Sequence, residues 1–138
     1  MSNLRVFAKK MRQRGQVLEE RSGKLLGDTL TGIAEGLIPH TPIDTGRARR
    51  NWQANESSPL TTYLEAPSSP GDGEKEAITN ARLVASKLKS GGAAHLTNNA
   101  PYIVELNRGS STQAPGMFVQ MEVLNALERI KDFKLIID

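Results

Sequence analysis

The sequence predicts an α+β fold, a small antiparallel sheet packed against a long N-terminal helix and further helices. Three observations carry this. Apolar residues from Leu4 to Ile38 recur at steps of three, four and seven, the stripe of one long helix. Short segments with strand character then alternate with loops rich in Asn, Ser, Thr and Pro. The resulting order of helix, strand, helix, two strands and helix does not alternate as a doubly wound sheet requires. With 138 residues, residues 1–138 fit a single domain that can bury a core but is too short for two.

The first helix is expected over residues 1–38, carried by Leu4, Phe7, Met11, Leu18, Leu25, Leu26, Leu30, Ile33, Leu37 and Ile38. Arg14 and Arg21 interrupt that stripe, and Gly15, Gly23 and Gly27 each weaken a helix interior by roughly 1 kcal/mol. A kink or break is therefore predicted near Ser22-Gly23. Pro39 and Pro42 are expected to stop the helix, because proline lacks the amide proton and restrains its predecessor. A short strand follows at 51–55, then a polar segment, 55–73, whose length predicts a flexible or functional loop.

Asp72, followed by acids and by Ile78, Ala81, Ala85 and Leu88 on one face, predicts a helix that Gly91-Gly92 ends. Strands are expected at 94–97 and 102–106, joined as a hairpin through Asn98-Asn99-Ala100-Pro101. Phe118, Met121, Leu124, Leu127 and Ile130 then predict a last helix over about 115–131. The tail "FKLIID" fits either a strand or a frayed end.

Aromatic residues make up only 4% of the chain, so the core must be aliphatic and modest, and a partner is expected to supply burial. The absence of cysteine excludes disulfides, thiolate nucleophiles and Cys-ligated zinc together. No segment approaches the roughly 18 apolar residues of a spanning helix, so no membrane role is expected. The net charge of +3 lies at the front: residues 1–50 carry ten Lys/Arg against five Asp/Glu, and the rest eight against ten. Arg5, Lys9, Lys10, Arg12 and Arg14 precede any acid, an arrangement that attracts DNA or an acidic protein surface unless it is merely a solvated face.

Asp44-Thr45-Gly46 invites comparison with an aspartic protease, where two such triplets let two carboxylates share one proton. Here one triplet is present, so a homodimer would be obligatory. Its approach, "IPHTPI", is broken by two prolines, and its exit, "RARRNW", places three guanidinium groups where they would oppose the protonated state the pair needs. The alternative is structural: Asp44 as an N-cap, with Gly46 turning the chain into a short helix that ends near Asn51. No catalytic, cofactor-binding or metal site is predicted. His40 and His95 are too few and too scattered for a metal site, and no phosphate-binding loop follows a strand. Trp52 is read as a core anchor in preference to a base-stacking residue.

Two stretches together resemble a family. "TPIDTGRARRNW" is similar to the Pro-x-Asp-Thr-Gly-x-(Leu/Ala)-Arg-x-(Ser/Asn)-Trp signature of phage tail-completion or neck proteins, the group that includes minor tail protein Z. "LTNNAPYIVELNRGSSTQAPGMF" is similar to that family's second signature, with Glu105 one residue early and no spacer between Pro115 and Gly116. The resemblance implies a non-enzymatic virion protein, made in the host cytoplasm, that joins head to tail. It implies a homo-oligomeric ring, hexameric or dodecameric with the hexamer favoured. The ring would sit between head connector or adaptor proteins and the tail tube or tail terminator, with transient, non-specific contact with genomic DNA. Asp44, Thr45 and Gly46 then shape the turn, Trp52 and Tyr102 anchor the core, and Asn99 with Pro101 sets the hairpin. Arg47, Arg49, Arg50, Arg108 and Gln113 are the expected contact residues for partners.

Overall fold

The computed structural model of the chain describes residues 2–132, and the tail from 133 onward lies outside the described residues. The architecture is α+β. In chain order it comprises α1 (Ser2–His40), α2 (Arg47–Arg50), β1 (Trp52–Asn55), α3 (Pro70–Lys87), β2 (His95–Asn98), α4 (Ile103–Asn107) and α5 (Phe118–Ile130). The second half of α1 is the spine, with α3 and α5 packed along it. One aliphatic core joins Leu30, Ala34, Leu37 and Ile38 of α1 to Trp52 and Ala54 of β1, Ala77 and Ala81 of α3, and Phe118 of α5.

No break falls near Ser22-Gly23: α1 runs unbroken. The reason is tertiary. A Cβ at Gly27 would stand 2.7 Å from the Ala85 carbonyl oxygen, and one at Gly23 would stand 3.1 Å from that of Leu88. These glycines let the end of α3 approach the α1 backbone, and the packing so gained offsets their low helix propensity. Pro39 lies within the last turn of α1 and does not precede it. The helix closes at Thr41, whose amide donates to Leu37 O at 3.1 Å and whose hydroxyl donates to the same oxygen at 2.8 Å.

The sheet also differs from expectation. β1 and β2 pair antiparallel, Trp52 with Asn98 through Asn55 with His95, so the partners come from distant parts of the chain. Residues 102–106, read as the second strand of a hairpin, instead fall in and around α4. Pro101 is the second residue of a turn, closed by the Ile103 amide donating to Ala100 O at 3.1 Å, that leads into α4 with Tyr102 at its N-cap. Alternation over so few residues does not distinguish strand from helix. α3 begins earlier than expected, with Ser69 at its N-cap, Pro70 in its first turn and Asp72 inside it, and it ends at Lys87 ahead of Gly91.

Residues 56–69 form no helix or strand, yet their backbone is held at several points. Asn51 bonds Leu64 through both its amide nitrogen and its oxygen, Gln53 donates to Thr62 O, Asn99 donates to Leu60 O and Thr62 O, and Arg50 donates to Glu65 O. The segment expected as a flexible loop is thus strapped across the sheet by polar side chains. Every buried side-chain nitrogen or oxygen among the described residues has a hydrogen-bond partner.

Candidate functional site

The two sequence motifs meet at one junction, where α1 ends and the chain turns through residues 41–46 into α2. Thr41 is fully buried and accepts the Trp52 indole N–H at 2.9 Å, so the tryptophan is both core filler and a tie to the helix end. Gly46 takes a left-handed conformation with φ of 85°. Arg49 reaches back, its Nε donating to Thr41 O at 2.7 Å and its Nη2 to Pro39 O at 2.8 Å, while Nη1 meets Glu74 at 2.9 Å. A single guanidinium therefore satisfies carbonyls at the C-terminal end of α1, where positive charge is favoured, and links them to α3.

The expected N-cap role of Asp44 is corrected by this geometry. Gly46 holds the cap position with no side-chain cap bond, and the Arg47 amide donates to the Thr45 hydroxyl at 3.3 Å. Asp44 is exposed and lies two residues before the cap position that Gly46 holds. Asp44→Ala and Asp44→Asn are accordingly both expected to melt within about 0.5 kcal/mol of the parent, the usual range for an exposed surface change. A loss near 1 kcal/mol in the alanine variant alone would restore the cap.

The second motif joins the first through side chains. Gln113 accepts the Ile43 amide at 2.8 Å and donates to the Ile43 carbonyl at 2.9 Å, pairing with the backbone as a neighbouring strand would. Arg47 lies over the Tyr102 ring at 4.7 Å and the Tyr63 ring at 5.7 Å. Its Nε also donates to the Tyr102 hydroxyl at 3.0 Å, and that bond raises the guanidinium pKa. Asn98 donates to Ala48 O at 2.8 Å and accepts the Ala100 amide at 3.0 Å. Asn99 and Pro101 thus stand at the exit of β2 without forming a hairpin; Tyr102, half-buried, is a platform for Arg47.

Of the residues expected to contact partners, Arg47, Arg49, Arg50 and Gln113 are engaged within the chain. Arg50 pairs with Glu76 at 2.7 Å, and only 15% of the Arg49 side chain is exposed. Arg108 is different, 71% exposed and paired locally with Glu105 at 3.1 Å. A cleft of about 340 Å³ lies between the motifs, lined by Pro42, Ile43, Asp44, Tyr102 and Leu106 among others. Among the described residues no group of His, Asp and Glu is placed to hold a metal. His40 sits at the end of α1 against Gly36 O and Glu122, whereas His95 is on β2. The junction is chemically a brace.

Unpartnered surface lies elsewhere. Residues 3–20 of α1 project beyond the core almost wholly exposed, with Leu4, Phe7, Met11, Val17 and Leu18 among the exposed large apolar residues. Met121, Leu124 and Leu127, which the sequence places on the stripe of the last helix, are likewise exposed, together with Met117. The buried side of α5 is instead Phe118 and Ala126. The signal available in the sequence was the width of these stripes, more apolar positions than one modest core can cover. Searches against family models, curated proteins and solved structures find no match to the chain.

Proposed function

We propose that this chain is a structural component of a tailed phage, one copy of a ring that completes the joint between head connector and tail. The paired motifs suggest the family. The observation that carries the reading is the projecting arm, residues 3–20 of α1. An isolated helix of this length is marginal in water, no acid stands in its first turn, and its apolar residues face solvent. Such an element is suited to assembly. A ring of identical copies needs two different patches on each copy, and the arm and the outer face of α5 are two such patches.

DNA binding led by Arg5, Lys9, Lys10, Arg12 and Arg14 accounts for the charge of the arm but leaves Leu4, Phe7, Met11 and Leu18 without a role. A protein partner uses both. The braced junction fits the same reading, since it fixes the C-terminal end of α1, the helix that carries the arm, to α2 and α3. Electron microscopy of the parent phage with this gene disrupted, beside the complemented phage, tests the proposal. Full heads and finished tails lying unjoined, rescued by complementation, are the expected outcome. Normally joined virions would overturn it.

A further inference from the structure

The continuity of α1 has a geometric consequence for the two apolar faces. α5 packs beside Gly32 and Gly36, where Ala126 and Glu122 approach the α1 backbone. Phe7 lies 25 positions before Gly32. At 1.5 Å per residue, this puts it on the order of 40 Å away along the helix axis. Since α1 is unbroken, the arm does not fold back on its own α5. Among the described residues both faces are exposed.

The stripes are alike in form. On the arm Leu4, Phe7, Met11, Arg14 and Leu18 follow at steps of three and four; on α5 Met121, Leu124 and Glu128 do so at steps of three and four. An arm paired with another arm would set Arg14 in a shared seam and bring together two sets of five cations. The α5 face meets that charge better, because Glu128 continues the line of Met121 and Leu124, and Asp132 stands one turn further on. Glu128 is 69% exposed and, among the described residues, pairs with Lys131 one turn away, so exchanging that partner for an arm cation is cheap. Removing the five cations and two acids of residues 1–20 leaves thirteen of each sign in the rest of the chain. The arm carries the whole imbalance.

We infer that the arm of one copy docks on the outer face of α5 of the next copy, head to tail. The inference deepens the ring reading and rests on it for closure. The strip is roughly 20 Å long, the length of α5, and about 10 Å wide, the diameter of a helix. Even doubled for surface relief, its area falls short of the about 800 Å² per partner of a stable interface. One contact is therefore weak, and closure, in which every copy makes two, supplies the avidity.

The absence of cysteine makes the test clean. Phe7→Cys and Leu124→Cys sit at positions 61% and 65% exposed, and circular dichroism verifies that the full-length variants keep their helix content. The concentrated double variant, treated with a short bismaleimide, is expected to give a ladder of dimer, trimer and higher bands, because each copy links to two neighbours. A mixture of the two single variants is expected to stop at the dimer, and neither alone to cross-link. Adding Met121→Glu should abolish the ladder.

A folded double variant that stays monomeric would overturn the docking, as would Phe7→Cys cross-linking by itself as readily as in the mixture. So would protection of position 7 by duplex DNA with no ladder. A ladder beside normally joined virions in the gene disruption would keep the interface and discard the neck. Unjoined heads and tails without a ladder would do the reverse.

Discussion

Gly46→Ala is expected to lower the melting temperature by roughly 10 °C or more, a loss on the order of 3 kcal/mol for a domain of this size. Two costs combine. The φ of 85° is one that a residue with a Cβ adopts only under strain. The Cβ would also stand 2.3 Å from the Pro70 carbonyl oxygen and 2.8 Å from the Pro70 Cα, both backbone atoms of the first turn of α3. Relief requires moving α2 away from α3, and that movement strains the Arg49–Glu74 and Arg50–Glu76 pairs. Gly15→Ala is the matched control: nothing lies within 4 Å of its Cβ, and a helical alanine there should stabilise by up to about 1 kcal/mol. Thermal melting of the two variants beside the parent decides the matter. Equal behaviour would show that the turn and α3 do not meet as described.

Arg49→Ala is expected to cost about 3 to 5 kcal/mol, because it strands the Pro39 and Thr41 carbonyls and leaves Glu74 without its cation in a largely covered site. Arg49→Lys is the sharper experiment. An ammonium keeps the charge, but it cannot span three acceptors that a planar fork reaches at 2.7 to 2.9 Å, so lysine should recover less than half of the loss. Urea unfolding with an unchanged slope would assign the difference to stability. A lysine variant as stable as the parent would mean that charge alone matters, and that closure of the α1 end by Arg49 is incidental. Either variant acts through the fold, whereas the arm substitutions act at a surface.

Which elements are legible in the sequence follows from the range of the interactions that hold them. The long helix, α3 and α5 were legible because apolar periodicity over many residues is a strong local signal. Residues 102–106 differ from expectation because alternation over five residues is equally compatible with a helix, here entered through the turn at Pro101. The absence of a break near Gly23 has a different reason: the glycines answer to Ala85 and Leu88, some sixty residues away, and no local rule reveals that. In the same way Asp44 has a good N-cap residue type, but Gly46, two residues later, holds the cap position. The arginines of the turn looked like partner contacts because their acceptors, Glu74, Glu76 and Tyr102, are remote in sequence.

By itself the sequence determined the α+β class, the spine helix, Trp52 as a core anchor, and two motifs worth comparing. Periodicity, side-chain size and proline chemistry act over a few residues and need no fold to be read. Only the tertiary structure decided that β1 pairs with β2, that Gln113 clamps Ile43, and which part of each apolar stripe is buried. The last point matters most, because a stripe states only that burial is wanted. Whether this chain or another molecule provides it depends on where α1 runs once α3 and α5 have covered its second half.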